Sequence, residues 1–148
     1  MPTLIDPGCR ERVLTRLRGI SPSTPPQWGV MTPNQMVAHL CDSLRQMLGE
    51  LEVPSRPTWL RWPLVRQLVM YWLPWPKARI QGPRELFQTP PTTWNADLAT
   101  FEALLTRFAT SPARNSWPEH PFFGPMTHAA WGRFAYRHFD HHLHQFGA

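Results

Sequence analysis

The chain has 148 residues, 42% of them hydrophobic, with 8 Trp and 8 Phe and 17% charged. That length holds one domain with one core, and the composition excludes an intrinsically disordered chain. The net charge of +5 does not by itself indicate nucleic-acid binding: the basic residues run from Arg10 to Arg137 with acids interleaved, and no nucleic-acid fold motif accompanies them.

The first element follows from Asp6-Pro7, an N-cap and a first-turn proline. Val13, Leu14 and Leu17 give its apolar face, and Gly19 ends it. Arg10, Arg12, Arg16 and Arg18 are read as the solvated face of this helix. A proline-rich connection, residues 21–28, leads to TPNQ (Thr32 to Gln35), a capping box with Pro at the first helical position. The second helix is therefore expected from Pro33 to Leu48, stopped by Gly49.

Some forty residues rich in Pro and Trp follow, too many for a plain loop, and Leu64 to Leu73 suits a short extra helix there. Trp59, Trp62, Trp72 and Trp75 are expected to cap the core. The alternative is that they form a dimer contact or a membrane-surface patch. A third long helix fits Trp94 to Phe108, where Leu98, Phe101, Leu104, Leu105 and Phe108 recur at three- and four-residue steps. HPFFGP, residues 120–125, reads as a rigid loop plugging one end of the fold. Thr127 caps a fourth long helix that runs to about Phe146. No strand pattern or internal repeat is visible, so the expected fold is all-α: a helical bundle with a Pro/Trp-rich insert between the second and third long helices.

Four of the seven histidines lie in HFDHHLHQFGA, residues 138–148. On a helical wheel, His138 and His142 fall within the apolar arc of Trp131, Phe134, Ala135, Phe139 and Leu143. His141 lies on its edge, and His144 lies opposite with Arg137 and Asp140. Two inward imidazoles one turn apart can share a metal ion, and otherwise need hydrogen bonds to offset burial. A further ligand would come from His39, His120 or His128. The wheel places His39 on the flank of the second helix, among Gln35, Ser43 and Gln46, and periodicity alone makes it exposed. Cys9 and Cys41 form neither a disulfide framework nor a CxxC site, and Cys41 sits on the core stripe as a small hydrophobe.

WGVMTPNQMVAHLCDSLRQMLG, residues 28–49, and HPFFGPMTHAAWGRFAYRHFDHHLHQFG, residues 120–147, with WPKARIQGPREL, residues 75–86, between them, resemble the DinB/YfiT-like superfamily of helical-bundle metalloenzymes. The resemblance extends over essentially the whole chain and implies one DinB-like four-helix-bundle domain over residues 1–148. It also implies a divalent metal on three histidines, carried over to His39, His138 and His142. One departure follows Thr127: His128, Ala129 and Ala130 stand where the branch of that superfamily that the chain resembles most usually has an acidic residue.

Three imidazoles leave an open position for water or substrate, as catalytic sites do. Zn²⁺ and Ni²⁺ suit such a donor set best, with Fe²⁺ or Mn²⁺ as further candidates. Gln145, His141, Asp42 and Asn34 are candidates to orient the rings, and His120 to reach the open position or a substrate. The resemblance implies a metal-dependent transferase acting on a small thiol, or a hydrolase. The alternative is a non-catalytic binding or sensing module that holds a ligand, partner or second copy through the Trp-rich insert. The start of the chain lacks a signal-peptide pattern and no segment suits a membrane span, so a cytoplasmic protein is expected.

Overall fold

The computed structural model describes residues 1–77, 82–112 and 114–148. Part of the WPKARIQGPREL segment, residues 78–81, lies outside them. The described residues form five α-helices: α1 (Pro7–Arg18), α2 (Pro33–Leu48), α3 (Pro63–Tyr71), α4 (Trp94–Ala109) and α5 (His128–Gln145). Among the described residues there is no strand, so the all-helical expectation holds.

Each long helix begins where local chemistry places it. The Asp6 carboxylate accepts from the Cys9 N–H at 2.8 Å. Thr32 and Gln35 form a reciprocal capping box. Thr93 and Thr127 accept from the N–H groups of Ala96 and Ala130. Gly49 ends α2 in the left-handed conformation, φ 84°.

Helix α2 packs against α4 and α5, and α1 against α5. The core they share includes Met36, Leu40, Leu44, Phe101, Phe108, Trp131 and Phe139, each essentially inaccessible. Burying a side chain of this kind is worth about 1.5–3 kcal/mol, so this core carries most of the stability. Gly132, inside α5, is required by packing. A Cβ there would stand 2.5 Å from Thr3 Oγ1, because the N-terminal segment crosses at this point and the Leu4 N–H donates to the Gly132 carbonyl at 3.0 Å.

The basic residues of α1 are largely committed within the molecule. Arg10 donates to the Leu4 and Ile5 carbonyls. Arg16 pairs with Asp140 at 2.6 Å and Arg18 with Glu102 at 2.8 Å. The solvated-face reading of these arginines is corrected accordingly for Arg10 and Arg16, both of which are half-buried.

The region between α2 and α4 departs most from expectation. The extra helix α3 forms, but Trp59, Trp62 and Trp72 do not cap the core: they are 64%, 68% and 68% exposed. Only Trp75 of the four packs against the core. It lies 5.4 Å from Phe134, ring centre to ring centre. Helix α3 is held to α5 through buried Met70 and through Arg137, whose guanidinium donates to the Met70 and Leu73 carbonyls at 2.7 Å. Arg137 therefore closes the C-terminal end of α3, where the wheel would leave it facing solvent. Further on, a 3₁₀ turn, Arg84–Phe87, lies on α2.

Candidate metal centre

The 3₁₀ turn changes the surroundings of His39. Helix α2 buries 13 of its residues, on flanks as well as on the apolar stripe. His39 is 4% exposed, contrary to the periodicity reading. The side chain is covered by residues far away in sequence: Phe87 stacks on the imidazole at 4.3 Å with the rings 4° from parallel. The Nδ1–H of His39 donates to the Leu86 carbonyl at 2.9 Å.

From α5, His138 and His142 approach the same point. His39 Nε2 lies 3.1 Å from His138 Nε2, and His142 Nε2 lies 3.1 Å from it on another side. One nitrogen from each ring lies within 4.8 Å of the other two. Imidazole nitrogens held about 2.0–2.1 Å from a tetrahedral ion are about 3.3 Å apart, so these three histidines could hold a divalent metal.

The protons on the rings support that fit. A carbonyl oxygen only accepts, so His39 must carry its proton on Nδ1, leaving a bare lone pair on Nε2. The same holds for His142. Its Nδ1 meets Gln145 Oε1 at 3.0 Å, while Gln145 Nε2 donates to the Trp28 carbonyl at 2.9 Å. The Trp28 carbonyl fixes which end of the amide faces the ring. Two lone pairs therefore point at His138 Nε2, and a single N–H there can satisfy only one of them. A cation satisfies all three nitrogens together. His138 Nδ1, moreover, is buried and has no hydrogen-bond partner among the described residues, the one place where the usual support for a ligand ring is missing.

Burial keeps the cluster neutral. Desolvation pushes His39, His138 and His142 below the ordinary imidazole range, and the neighbouring rings push His138 and His142 down further. Neutral imidazole is the form that binds a metal.

The remaining candidates separate clearly. Gln145 orients His142. Asp42 does not orient a ring: its carboxylate accepts from the Thr89 N–H and hydroxyl and from Arg45, and it acts on His39 only as a nearby charge. Asn34, in the first turn of α2, makes no hydrogen bond to the cluster among the described residues. His141 stands beside it, 5.5 Å from His142 and 5.8 Å from Trp28 between ring centres.

His120 belongs to the loop, not to the site. Its Nδ1 accepts from the Phe122 and Phe123 N–H groups at 3.1 and 3.2 Å, and its ring is enclosed by Phe123, Trp131 and Phe134. These contacts fit the plug reading of HPFFGP, and they occupy the Nδ1 of His120 within the loop. His128 is stacked on Trp117 at 4.3 Å and donates from Nε2 to the Phe108 carbonyl. Cys41 is buried with its thiol pushed up to about 12 by desolvation, which removes it as a nucleophile.

A cleft of about 260 Å³ opens beside the cluster between the 21–28 connection, Trp75 and the outer face of α5. His141, Trp28, Trp75 and Lys77 line it, with Lys77 Nζ 4.4 Å above the Trp28 ring. Comparison with protein-family models, with curated proteins and with solved structures finds no match to this chain.

Proposed function

We propose that the chain is a DinB/YfiT-like metal-binding protein whose His39, His138 and His142 hold a divalent ion in an open site for transfer or hydrolysis chemistry. The observation that carries this reading is the pair of proton positions fixed by the Leu86 carbonyl and Gln145, which leave two bare Nε2 atoms 3.1 Å from the third. The helix order and the motifs at residues 28–49 and 120–147 support the family assignment.

An ion on three imidazoles supplies Lewis-acid polarisation and lowers the pKa of a thiol or water brought to its open position. The chain's own contribution is positioning. Leu86 and Phe87 fix the His39 ring, Gln145 fixes His142, and buried Phe139 and Phe134 enclose this face of α5 and exclude water. Cys41 does not compete as a nucleophile, and a thiol substrate would come from solution through the cleft beside His141. Zn²⁺ and Ni²⁺ fit the all-nitrogen set best, Fe²⁺ and Mn²⁺ less well.

The test is metal content by plasma mass spectrometry on untagged protein purified without chelator, beside His142→Ala. Near-stoichiometric metal that falls in the variant supports the site and directs turnover assays to thiol transfer and hydrolysis. No metal in either protein after reconstitution with Zn²⁺, Ni²⁺ or Mn²⁺ would overturn the reading and leave a non-catalytic binding module in its place.

A further inference from the structure

The large hydrophobic side chains that remain exposed are concentrated in one place. Among the described residues, apart from Met1, Val30 and Phe87, all of them fall between Trp59 and Leu73: Trp59, Trp62, Leu64, Leu68, Trp72 and Leu73, each between 49% and 82% exposed. Leu64, Leu68 and Trp72 are spaced four residues apart along α3 and its C-cap, so they form one stripe on the side away from buried Met70. Soluble surfaces rarely leave such a stripe without a use.

The sequence segment that carries this stripe has charge of one sign only. From residue 53 to residue 84 the sequence has no Asp or Glu, and it has Arg56, Arg61, Arg66, Lys77, Arg79 and Arg84. Arg56 pairs with Glu85 at 3.6 Å and Arg61 with Glu119 at 3.3 Å. Arg66, Lys77 and Arg84 make no ion pair with an acid among the described residues; Arg66 turns inward to Met126 Sδ, Lys77 lies over Trp28, and Arg84 is exposed. Tryptophan and leucine on a short helix, in a segment that has Arg and Lys and no acid of its own, are the composition of an element that lies in the interface of an anionic bilayer. At 9 residues α3 is about 14 Å long, well short of the roughly 30 Å hydrocarbon layer, so it would lie along the surface.

We infer that the Trp59–Leu73 face docks on an anionic lipid surface. A second copy of the chain fits less well. A two-fold contact places the same patch on both sides and would bring together two copies of a segment of net positive charge. The face is carried by the same excursion whose Trp75 lies 6.1 Å from His138 and from His141. The inference rests on exposure and charge, and stands whether or not the histidines bind metal.

Flotation of the full chain with phosphatidylcholine vesicles, with and without phosphatidylglycerol, tests it beside the triple variant Trp62→Ser, Leu64→Ser, Trp72→Ser. These positions are exposed, so the variant should keep the helical circular dichroism and melting temperature of the parent. The expected result is flotation with the phosphatidylglycerol vesicles only, weakened by salt and reduced roughly tenfold or more in the variant, as loss of three inserted apolar side chains requires. No flotation of the parent, equal flotation of parent and variant, or a dimer by light scattering that the triple variant dissolves would each overturn it.

Discussion

Two places in this molecule bury histidine, and they do so to opposite ends. At His120, Nδ1 accepts two backbone N–H groups of its own loop and the ring is wrapped in Phe123, Trp131 and Phe134. In the cluster of His39, His138 and His142, the outward nitrogens of two rings are satisfied by the Leu86 carbonyl and Gln145, and the inward ones face each other. Both sets are desolvated and both are held neutral. Burial and a lowered pKa therefore do not distinguish a site from a plug. The direction of the unprotonated nitrogen does.

The strongest way to break the comparison is to delete one converging ring. His138→Ala removes the nitrogen to which the other two point. Metal affinity by competition with a chromophoric chelator should fall by more than the 10–100-fold typical of an outer partner, roughly a thousandfold. The variant should still fold, because His138 is only partly buried and its Nδ1 has no partner to lose. Unchanged affinity would place the metal elsewhere.

The corresponding experiment on the plug should affect stability and leave metal alone. His120→Leu takes the acceptor away from two buried N–H groups and should cost about 2–5 kcal/mol in denaturant unfolding. His120→Asn, which keeps an acceptor and does not titrate, should cost less. The two variants also separate an acid effect. Burial, with Arg66 nearby, lowers the His120 pKa from the ordinary 6.5 to about 3. Below pH 6.5 the unfolded chain takes up a proton that the folded ring refuses. Stability is thus fully present above pH 6.5 and is lost as pH falls toward 3, by on the order of 3–5 kcal/mol from this group. His39, His138 and His142 add losses of the same sign, so the expected signature is a shallower acid limb in His120→Asn by one proton's slope.

Gln145→Leu sharpens the comparison without deleting a ligand. It frees the His142 ring to take its other tautomer, and should cost about 10–100-fold in metal affinity. It also leaves the Trp28 carbonyl without its donor, so about 1–3 kcal/mol of stability should go with it. A loss of stability with no loss of affinity would show that Gln145 braces the 21–28 connection and does not position the ring.

What the sequence reveals here is what local chemistry decides. Asp6-Pro7, Thr32-Pro33 with Gln35, and Thr127 mark helix starts because the side chains that cap them are neighbours along the chain. The inward pair His138 and His142 is readable for the same reason, since both sit on one helix. The burial of His39 is not, because the residues that cover it, Leu86 and Phe87, lie 47 and 48 positions later. Its own helix carries no sign of them. The groups that fix the ring protons are equally hidden, since two of them are backbone carbonyls, which every residue has. The tryptophans mislead for a related reason: composition shows that Trp59, Trp62 and Trp72 are apolar and cannot show that none of the described residues folds over them.

The smallest expected effect lies in the densest histidine run. His144 is exposed, and its Nδ1 lies 2.8 Å from the Asp140 carbonyl and 3.3 Å from Arg16, contacts of a surface network that contributes little. His144→Ala should change stability by no more than about 0.5 kcal/mol and leave metal affinity unaltered. The residue is two positions from His142, which on a helix is about 200° of rotation, so the two rings cannot share a ligand. If His144→Ala nonetheless lowered metal content, the ion would sit on the outer face of α5 near Asp140, and the converging lone pairs of His39 and His142 would not be what holds it.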